Sequence, residues 1–318
     1  MNRAVFVLAL LITLPSHALQ VSVSPTETLE IAERSAVVKI DGKLDEAVWA
    51  SLDQYDEFVV IEPDTLVKPA HATWVSLFYN QLGLYVGVQV EQPPETRIAR
   101  LSSRDNRQIK RDSVGMVLDT SGEGRYGYWF GINLGDAQMD GTLLPEKQFT
   151  SDWDGAWEGA TSETQTGWTA EMFIPWGVVS MPKQAGARRI GLYMERFVAY
   201  KDERWSWPAL PDTVPQFISA LQSVSVKDVQ PKQQYSIFPS ASVTQDQIDG
   251  KTNYRAGADF FWRPSTNLQL TATINPDFGV AESDDVVINL SATETFFPEK
   301  RLFFLEGQDV FTASPRAD

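Results

Sequence analysis

Two tryptophans and three carboxylates fall between residues 152 and 158, and side chains of these types suit a sugar. Trp153 is followed by Asp154, and Trp157 is followed by Glu158. An indole ring packs against the C–H face of a sugar, while a carboxylate accepts hydrogen bonds from its hydroxyl groups. We therefore predict that these four side chains contact a carbohydrate. The sequence leaves open the alternative that the indoles pack in the core and the acids are solvated.

A second aromatic group occurs at Trp205 and Trp207, with Tyr200 close to them in sequence. Aromatic side chains in one row can form a wall on which sugar rings stack. We predict that Trp205 and Trp207 also bind the carbohydrate. Packing of the same rings at the edge of a β-sandwich is an equally good interpretation of the pattern.

Oxygen-rich turns at residues 119–123 and between Asp136 and Asp140 carry the side chains that calcium prefers. The ligand spacing of an EF-hand is absent from both turns. We predict a calcium ion near Asp119 and Glu123, without a complete set of ligands.

The composition excludes several kinds of catalytic site. The chain has no cysteine, so neither a cysteine nucleophile nor a Cys/His zinc site can form. The chain has two histidines, and His17 lies in the signal peptide predicted below. No nucleophile motif lies near His71, so a Ser-His-Asp triad is not indicated. The G-x-G-x-x-G pattern at residues 122–127 indicates a hairpin turn, because a strand-like run follows it where a nucleotide site needs a helix. Catalysis would therefore rest on carboxylates, as in glycoside hydrolysis.

The N-terminus has the pattern of a cleaved signal peptide. Arg3 precedes an apolar run at residues 4–14, and Ser16 and Ala18 supply small residues for cleavage. We predict a signal peptide at residues 1–18 and export to the periplasm or outer membrane of a Gram-negative-type bacterium. The net charge of −15 repels nucleic acid, so no nucleic-acid partner is expected.

Short β-rich runs separated by turn residues predict an all-β chain. Residues 73–79 and 84–90 form one candidate hairpin, and residues 113–118 and 126–132 form another. Residues 167–174 and 190–198 are further strand candidates. Regular spacing of short strands is typical of an antiparallel, jelly-roll-like β-sandwich, which we assign to residues 19–229.

The tail has a different pattern. Residues 267–275 alternate strictly between apolar and polar side chains, and residues 254–262 alternate less strictly. Such strands occur both in outer-membrane barrels and in soluble hairpins. A membrane barrel needs at least eight strands, and the residues after 231 allow about four or five. We therefore expect residues 230–318 to be the N-terminal part of an incomplete β-barrel domain.

The sandwich region resembles family 9 carbohydrate-binding modules. Residues 40–49 read Ile-Asp-Gly-Lys-Leu-Asp-Glu-Ala-Val-Trp and look like the opening motif of that family, and residues 84–88, 112–119 and 167–176 follow in the family's order. The resemblance implies a β-sandwich that binds xylan-type or cellulosic sugar chains. It also implies an association with glycoside hydrolases and carbohydrate catabolism.

The tail resembles an uncharacterised bacterial barrel family. Residues 274–279, 294–301 and 303–307 are similar to the start of that barrel, whose members carry a sugar-module-like domain in front of it. The resemblance implies that this part of the chain leads into the outer membrane.

Three hypotheses for the function remain at this stage. The leading one is a non-catalytic glycan-binding module. The second is a structural or interaction domain that has lost sugar binding, which predicts that Trp153, Trp157, Trp205 and Trp207 are all buried. The third is a hydrolase of O-glycosyl bonds, which predicts two acids facing each other across a cleft, one of them with a raised pKa.

Overall fold

The part of the chain that the structure describes is built almost entirely of β-strands. The computed structural model describes residues 27–229 other than 107, 145, 146, 152 and 183, together with 234–245, 252–265 and 268–275. These residues contain short 3₁₀ turns but no α-helix, and no helix among them is long and apolar enough to cross a membrane. The predicted signal peptide at residues 1–18 and the tail motifs beyond residue 275 lie outside this part.

The described residues contain 17 strands. In chain order they are β1 (Leu29–Glu30), β2 (Ala32–Glu33), β3 (Val59–Glu62), β4 (Thr73–Tyr79), β5 (Gly83–Glu91), β6 (Ser113–Asp119), β7 (Gly127–Asn133), β8 (Gln138–Leu144), β9 (Gln148–Thr150), β10 (Glu158–Glu163), β11 (Gly167–Pro175), β12 (Ala187–Val198), β13 (Glu203–Trp207), β14 (Gln222–Lys227), β15 (Gln234–Gln245), β16 (Thr252–Ser265) and β17 (Leu268–Ile274).

Fourteen of these strands form two sheets that pack face to face, which confirms the predicted β-sandwich. The larger sheet has the order β1-β14-β12-β6-β7-β8-β9, with β13 beside β12 and β3 beside β13. The smaller sheet has the order β10-β11-β5-β4-β2. The two predicted hairpins are β4–β5 and β6–β7, and both are antiparallel. The two N-terminal strands pair in parallel instead, β1 with β14 and β2 with β4.

The main core lies between the inner faces of the two sheets. It joins side chains such as Val88 and Met172 of the smaller sheet to Met116 and Phe130 of the larger one. A second apolar cluster, which includes Trp129, covers the outer face of the larger sheet. Burial of one large apolar side chain contributes about 1.5–3 kcal/mol, so a sheet covered on both faces is a stable platform.

The Asp-Gly turn that precedes Trp49 is attached to the smaller sheet by one buried carboxylate. Glu171 of β11 accepts hydrogen bonds from the backbone N–H groups of Asp41 (3.0 Å) and Gly42 (2.9 Å) and from the indole N–H of Trp49 (3.1 Å). Gly42 has a φ of +83°, and a Cβ there would overlap the backbone of Thr161. The motif that resembles the opening of family 9 modules is therefore a scaffold element.

The third sheet consists of β15, β16 and β17, in that order. The two tail segments whose side chains alternate lie in β16 and β17, which are antiparallel neighbours. In the described residues this sheet does not close into a barrel. One face exposes a set of large apolar side chains: Tyr235, Ile237, Val243, Tyr254, Trp262, Leu270 and Ile274.

Candidate functional site

A guanidinium group and three carboxylates meet at strand β8, next to the first predicted tryptophan stretch. Arg104 donates hydrogen bonds from Nη2 and Nε to the two oxygens of Asp140, at 2.7 and 3.2 Å. Its Nε is also 3.2 Å from Oδ1 of Asp154. A two-point Arg–carboxylate contact fixes the plane of the guanidinium, so Arg104 has a defined orientation at the surface.

Further hydrogen bonds tie this group to the backbone. Gly155 donates its N–H to Oδ2 of Asp140 at 2.6 Å and accepts from Nη2 of Arg104 at 2.8 Å. Gln138 accepts from Nη1 of Arg104 at 2.9 Å, and Asp105 accepts from the backbone N–H of Asp140 at 2.9 Å. The loop that carries Trp153 is therefore attached to β8 through buried polar contacts.

Burial is the largest single influence on the pKa values of this group. It raises the pKa of Asp140 to about 6, against the opposing effect of Arg104. Burial also raises the pKa of Asp105, and the nearby charge of Asp154 adds to that rise. For Arg104, the three carboxylates outweigh burial and raise the pKa. The site therefore has three acids around one cation and a net negative charge when all groups are ionised.

Trp153 is half-buried beside this charged group. Its ring lies 4.9 Å from that of Tyr128 and 5.7 Å from that of Phe130, measured between centroids. Asp154, the next residue, has 41% of its side chain exposed, and its partner Arg104 has 37% exposed. Trp153 also packs against the main core. The structure therefore brings together a half-buried indole, a carboxylate and a guanidinium, which includes two of the predicted site residues.

The other two residues of that stretch point elsewhere. Trp157 is buried in the main core, with its ring 5.6 Å from that of Phe130. Glu158 is exposed and begins edge strand β10, opposite Phe173. Because the ring of Trp157 lies inside the sandwich, it has no free face for a sugar. The contact of Glu158 with a carbohydrate stays a prediction.

Trp205 and Trp207 do not form the predicted solvent-facing wall. Both are buried on β13, and their side chains share one face because they are two residues apart. The guanidinium of Arg196 lies 4.5 Å from the ring of Trp205, while Trp207 stacks on Tyr55 at 4.9 Å. The alternative interpretation, packing at the sandwich edge, describes these two side chains.

The two carboxylates predicted to hold calcium have other partners in the structure. The carboxylate of Asp119 is buried and accepts hydrogen bonds from the N–H of Ser121 at 2.9 Å and of Gly124 at 2.7 Å. Glu123 is exposed and pairs with Arg125 at 3.6 Å. The oxygens of Asp119 are thus used to shape its own turn, and Glu123 points to a different partner.

Among the described residues, Asp105, Asp140 and Asp154 form a group whose oxygens lie within 4.8 Å of one another, as metal ligands can. The guanidinium of Arg104 donates to two of these carboxylates and supplies the compensating positive charge. The arrangement fits a charge cluster and does not fit a calcium site. The third hypothesis also loses support, because the side chain of Asp140 is fully covered and cannot reach a glycosidic bond.

Sequence reasoning missed Arg104 and Asp105. They lie about 35 residues before Asp140 in the chain, and a lone Arg-Asp pair in a polar stretch gives no motif. In the structure Asp105 has a φ of +59°, which is uncommon for a residue other than glycine. This conformation could not be read from the sequence.

Comparison with known sequences covers the tail alone. A family model described as "Domain of unknown function (DUF5916)" matches residues 231–315, part of which lies outside the described residues. No curated protein sequence matches the chain.

Comparison with solved structures finds carbohydrate-binding modules. A family 9 module from Caldicellulosiruptor kristjanssonii in complex with cellotriose is 16% identical, with a TM-score of 0.44 over 62% of this chain and 92% of that chain. A family 9 module from the same organism with glucose is 16% identical, with a TM-score of 0.42 over 65% and 97%. A Bacteroides uniformis protein provisionally described as carbohydrate-binding is 13% identical, with a TM-score of 0.49 over 63% and 99%. Values this low carry no functional argument for this chain.

Proposed function

We propose that the chain binds neutral glycans, without cleaving them, at the surface formed by Trp153, Asp154 and Arg104. The observation that carries the proposal is the position of Trp153. Of the four predicted tryptophans, it alone is half-buried while the other three are buried, and it lies beside an exposed ion pair. An apolar ring face next to hydrogen-bonding groups is the combination that a sugar ring needs.

The rigidity of this surface supports the same function. Arg104 is held by Asp140, Gln138 and the carbonyl of Gly155, so little conformational entropy is lost when a ligand uses its remaining N–H. The exposed side of the site offers mainly acceptor oxygens, which suit sugar hydroxyl groups. The xylan-type and cellulosic chains implied by residues 40–49 are the first ligands to test.

We expect Trp153→Ala to weaken glycan binding by about tenfold or more, because removal of a stacking ring costs about 1.4 kcal/mol or more at an interface. Calorimetric titration of the purified chain with xylo- and cello-oligosaccharides measures the effect. Tyr200→Ala is the matched control, since Tyr200 is an exposed aromatic residue on a different loop.

Asp154→Asn tests the same surface without disturbing the core, because the Asp154 side chain is exposed. Loss of binding in both site variants, with both still folded, an unchanged melting temperature for Asp154→Asn and normal binding by the control, supports the proposal. Equal binding by all variants, or no heat from the folded wild-type chain with any sugar, would favour the structural hypothesis instead.

A second function, attachment to a lipid bilayer, is favoured by the third sheet. We infer that the apolar face of β15–β17 contacts lipid in the outer membrane. The register places Tyr235 beside Trp262 near one end of the sheet and Tyr254 near the other end, with Ile274 beside Ala258 at mid-height. Aromatic residues at both ends of an apolar band are typical of sheets that face lipid.

We expect Ile274→Arg to release the chain from vesicles of phosphatidylcholine, because an arginine at the midplane of a bilayer costs about 2–4 kcal/mol in such sheets. Thr273→Arg is the matched control, since successive side chains of a strand point to opposite faces. Flotation of the purified chain with the vesicles measures the bound fraction. If the two variants float equally well, the apolar face does not contact lipid.

A further inference from the structure

A polar groove crosses the outer face of the larger sheet at the edge where β1, β14 and β12 lie side by side. Its volume is about 390 Å³, which is in the range of small-molecule sites. The lining residues are mostly polar and include hydroxyl, amide and charged groups: Thr28, Glu30, Ser121, Gly122, Gln184, Ala187, Arg189 and Ser225.

The floor of the groove is set by strand register. Ser225 of β14 pairs with Glu30 of β1 on one side and with Arg189 of β12 on the other. Residues paired across neighbouring strands place their side chains on the same face, about 5 Å apart. The floor is therefore a row of carboxylate, hydroxyl and guanidinium groups that is fixed by the backbone.

One wall of the groove is the turn that Asp119 holds in place. The carboxylate of Asp119 accepts hydrogen bonds from the N–H groups of Ser121 (2.9 Å) and Gly122 (3.0 Å). Gly122 has a φ of +67°, and a Cβ there would lie 2.6 Å from the carbonyl oxygen of Arg189. Only glycine fits this approach, so the wall lies directly against the strand that carries Arg189.

The groove has an uncompensated positive charge. Among the residues that the structure describes, no ion pair or hydrogen bond engages the guanidinium of Arg189. Glu30, the acid in the lining, is 3.4 Å from Lys227 and is thus partly neutralised. The preceding residue, Arg188, is a second cation. It is only 2% exposed, and its Nε and Nη1 atoms have no hydrogen-bond partner.

Arg188 faces the sandwich core, on the opposite side of β12 from Arg189. Its guanidinium stays protonated at neutral pH, and no carboxylate among the described residues pairs with it. The net charge of the whole chain is −15, so an arginine without a carboxylate partner is a distinguishing feature of this groove.

We propose that this groove binds a small oxyanion, a carboxylate or phosphate group on a polar molecule, through the guanidinium of Arg189. The planar guanidinium donates two parallel hydrogen bonds to a carboxylate or phosphate. The hydroxyl groups of Thr28 and Ser225 supply contacts to the polar remainder of the ligand. The groove lies at the β1 edge of the larger sheet, whereas the Trp153 surface lies at β8, so the two sites are independent.

The test is calorimetric titration of the purified chain with inorganic phosphate, glucuronate and glucose. We expect saturable binding of at least one of the two anions. We expect no binding of glucose that depends on Arg189. Arg189→Gln is expected to weaken anion binding by about tenfold or more, while Glu30→Gln is expected to strengthen it, because it removes a negative charge from the groove. Arg34→Gln is the matched control, since Arg34 is an exposed arginine outside the groove.

The two probes separate the sources of the oxyanion. Binding of glucuronate alone identifies a sugar acid, and binding of phosphate alone identifies a phosphorylated ligand. Binding that is unchanged in Arg189→Gln, or absent for both anions in the folded wild-type chain, overturns the proposal. Arg189→Gln should leave binding of neutral glycans intact, so a failure of either site is distinguishable from a failure of the other.

Discussion

Replacing Asp112 by alanine is expected to lower the free energy of unfolding by about 3–5 kcal/mol, which is the usual cost of removing one partner from a buried ionic group. The carboxylate of Asp112 is fully buried and accepts three hydrogen bonds. The donors are Nε2 of Gln92 at 2.9 Å and the backbone N–H groups of Ile98 at 2.7 Å and Ala199 at 2.8 Å.

The loss is large because Arg196 is buried close by. Its guanidinium donates to the carbonyl oxygens of Ala72 and Glu91 and to the side chains of Thr73 and Gln92. Burial lowers the pKa of Arg196 to about 9, and Asp112 is the largest of the opposing charges. Without Asp112, this buried cation loses its main counter-charge, and three N–H groups lose their acceptor.

Urea unfolding of the purified chain measures the effect. Asp112→Asn is expected to cost less than Asp112→Ala, because an amide oxygen still accepts hydrogen bonds from some of the donors. Asp53→Ala, at an exposed position, is the matched control and should change the free energy by less than about 0.5 kcal/mol. A loss below about 1 kcal/mol for Asp112→Ala would show that the network contributes little to stability.

The stability of the sandwich is expected to fall as the pH rises from about 4.5 to 7, through the titration of Glu171. Burial raises the pKa of this carboxyl from 4.5 to about 7, despite three hydrogen-bond donors that act in the opposite direction. In this pH window the folded chain keeps a proton that the unfolded chain has released. The free energy of unfolding therefore decreases with pH, by up to about 3 kcal/mol over the full shift.

Glu171→Gln isolates this contribution, because glutamine does not titrate. We expect the difference in unfolding free energy between the wild type and the variant to favour the wild type most near pH 4.5 and least above pH 7. Asp140, with a pKa raised to about 6, adds a smaller decrease of the same sign in both proteins. Parallel curves for the two proteins between pH 4.5 and 8 would contradict the assignment.

Local patterns predicted the hairpins of the sandwich because both strands of a hairpin are close in sequence. Asn80 shows why the signal works, since its side chain accepts hydrogen bonds from the backbone of Leu82 and Gly83 and so forms the turn itself. The two-residue strands β1 and β2 were missed because each pairs with a distant segment. Strand β7 shows no alternation because the larger sheet is buried on both faces.

Apart from Asp154, the charged half of the candidate site could not be predicted, for a related reason. Arg104 is 36 residues from Asp140 and 50 residues from Asp154, and only the fold brings them together.

For Trp205 and Trp207, the two-residue spacing determined that both side chains share a face of the strand. It did not fix whether that face is turned to the core, which depends on the neighbouring strands β12 and β3.

The parallel pairing of β1 with β14 determines how the sandwich responds to mechanical force. Leu29 lies beside Val224 and Glu30 beside Ser225, so the first and last strands of the sandwich run side by side in the same direction. A pull between residues 27 and 229 therefore loads this contact in shear, in which its hydrogen bonds must break together, whereas an antiparallel arrangement would open them one after another. We therefore expect the sandwich to resist tension along the chain better than it would with an antiparallel contact at this place.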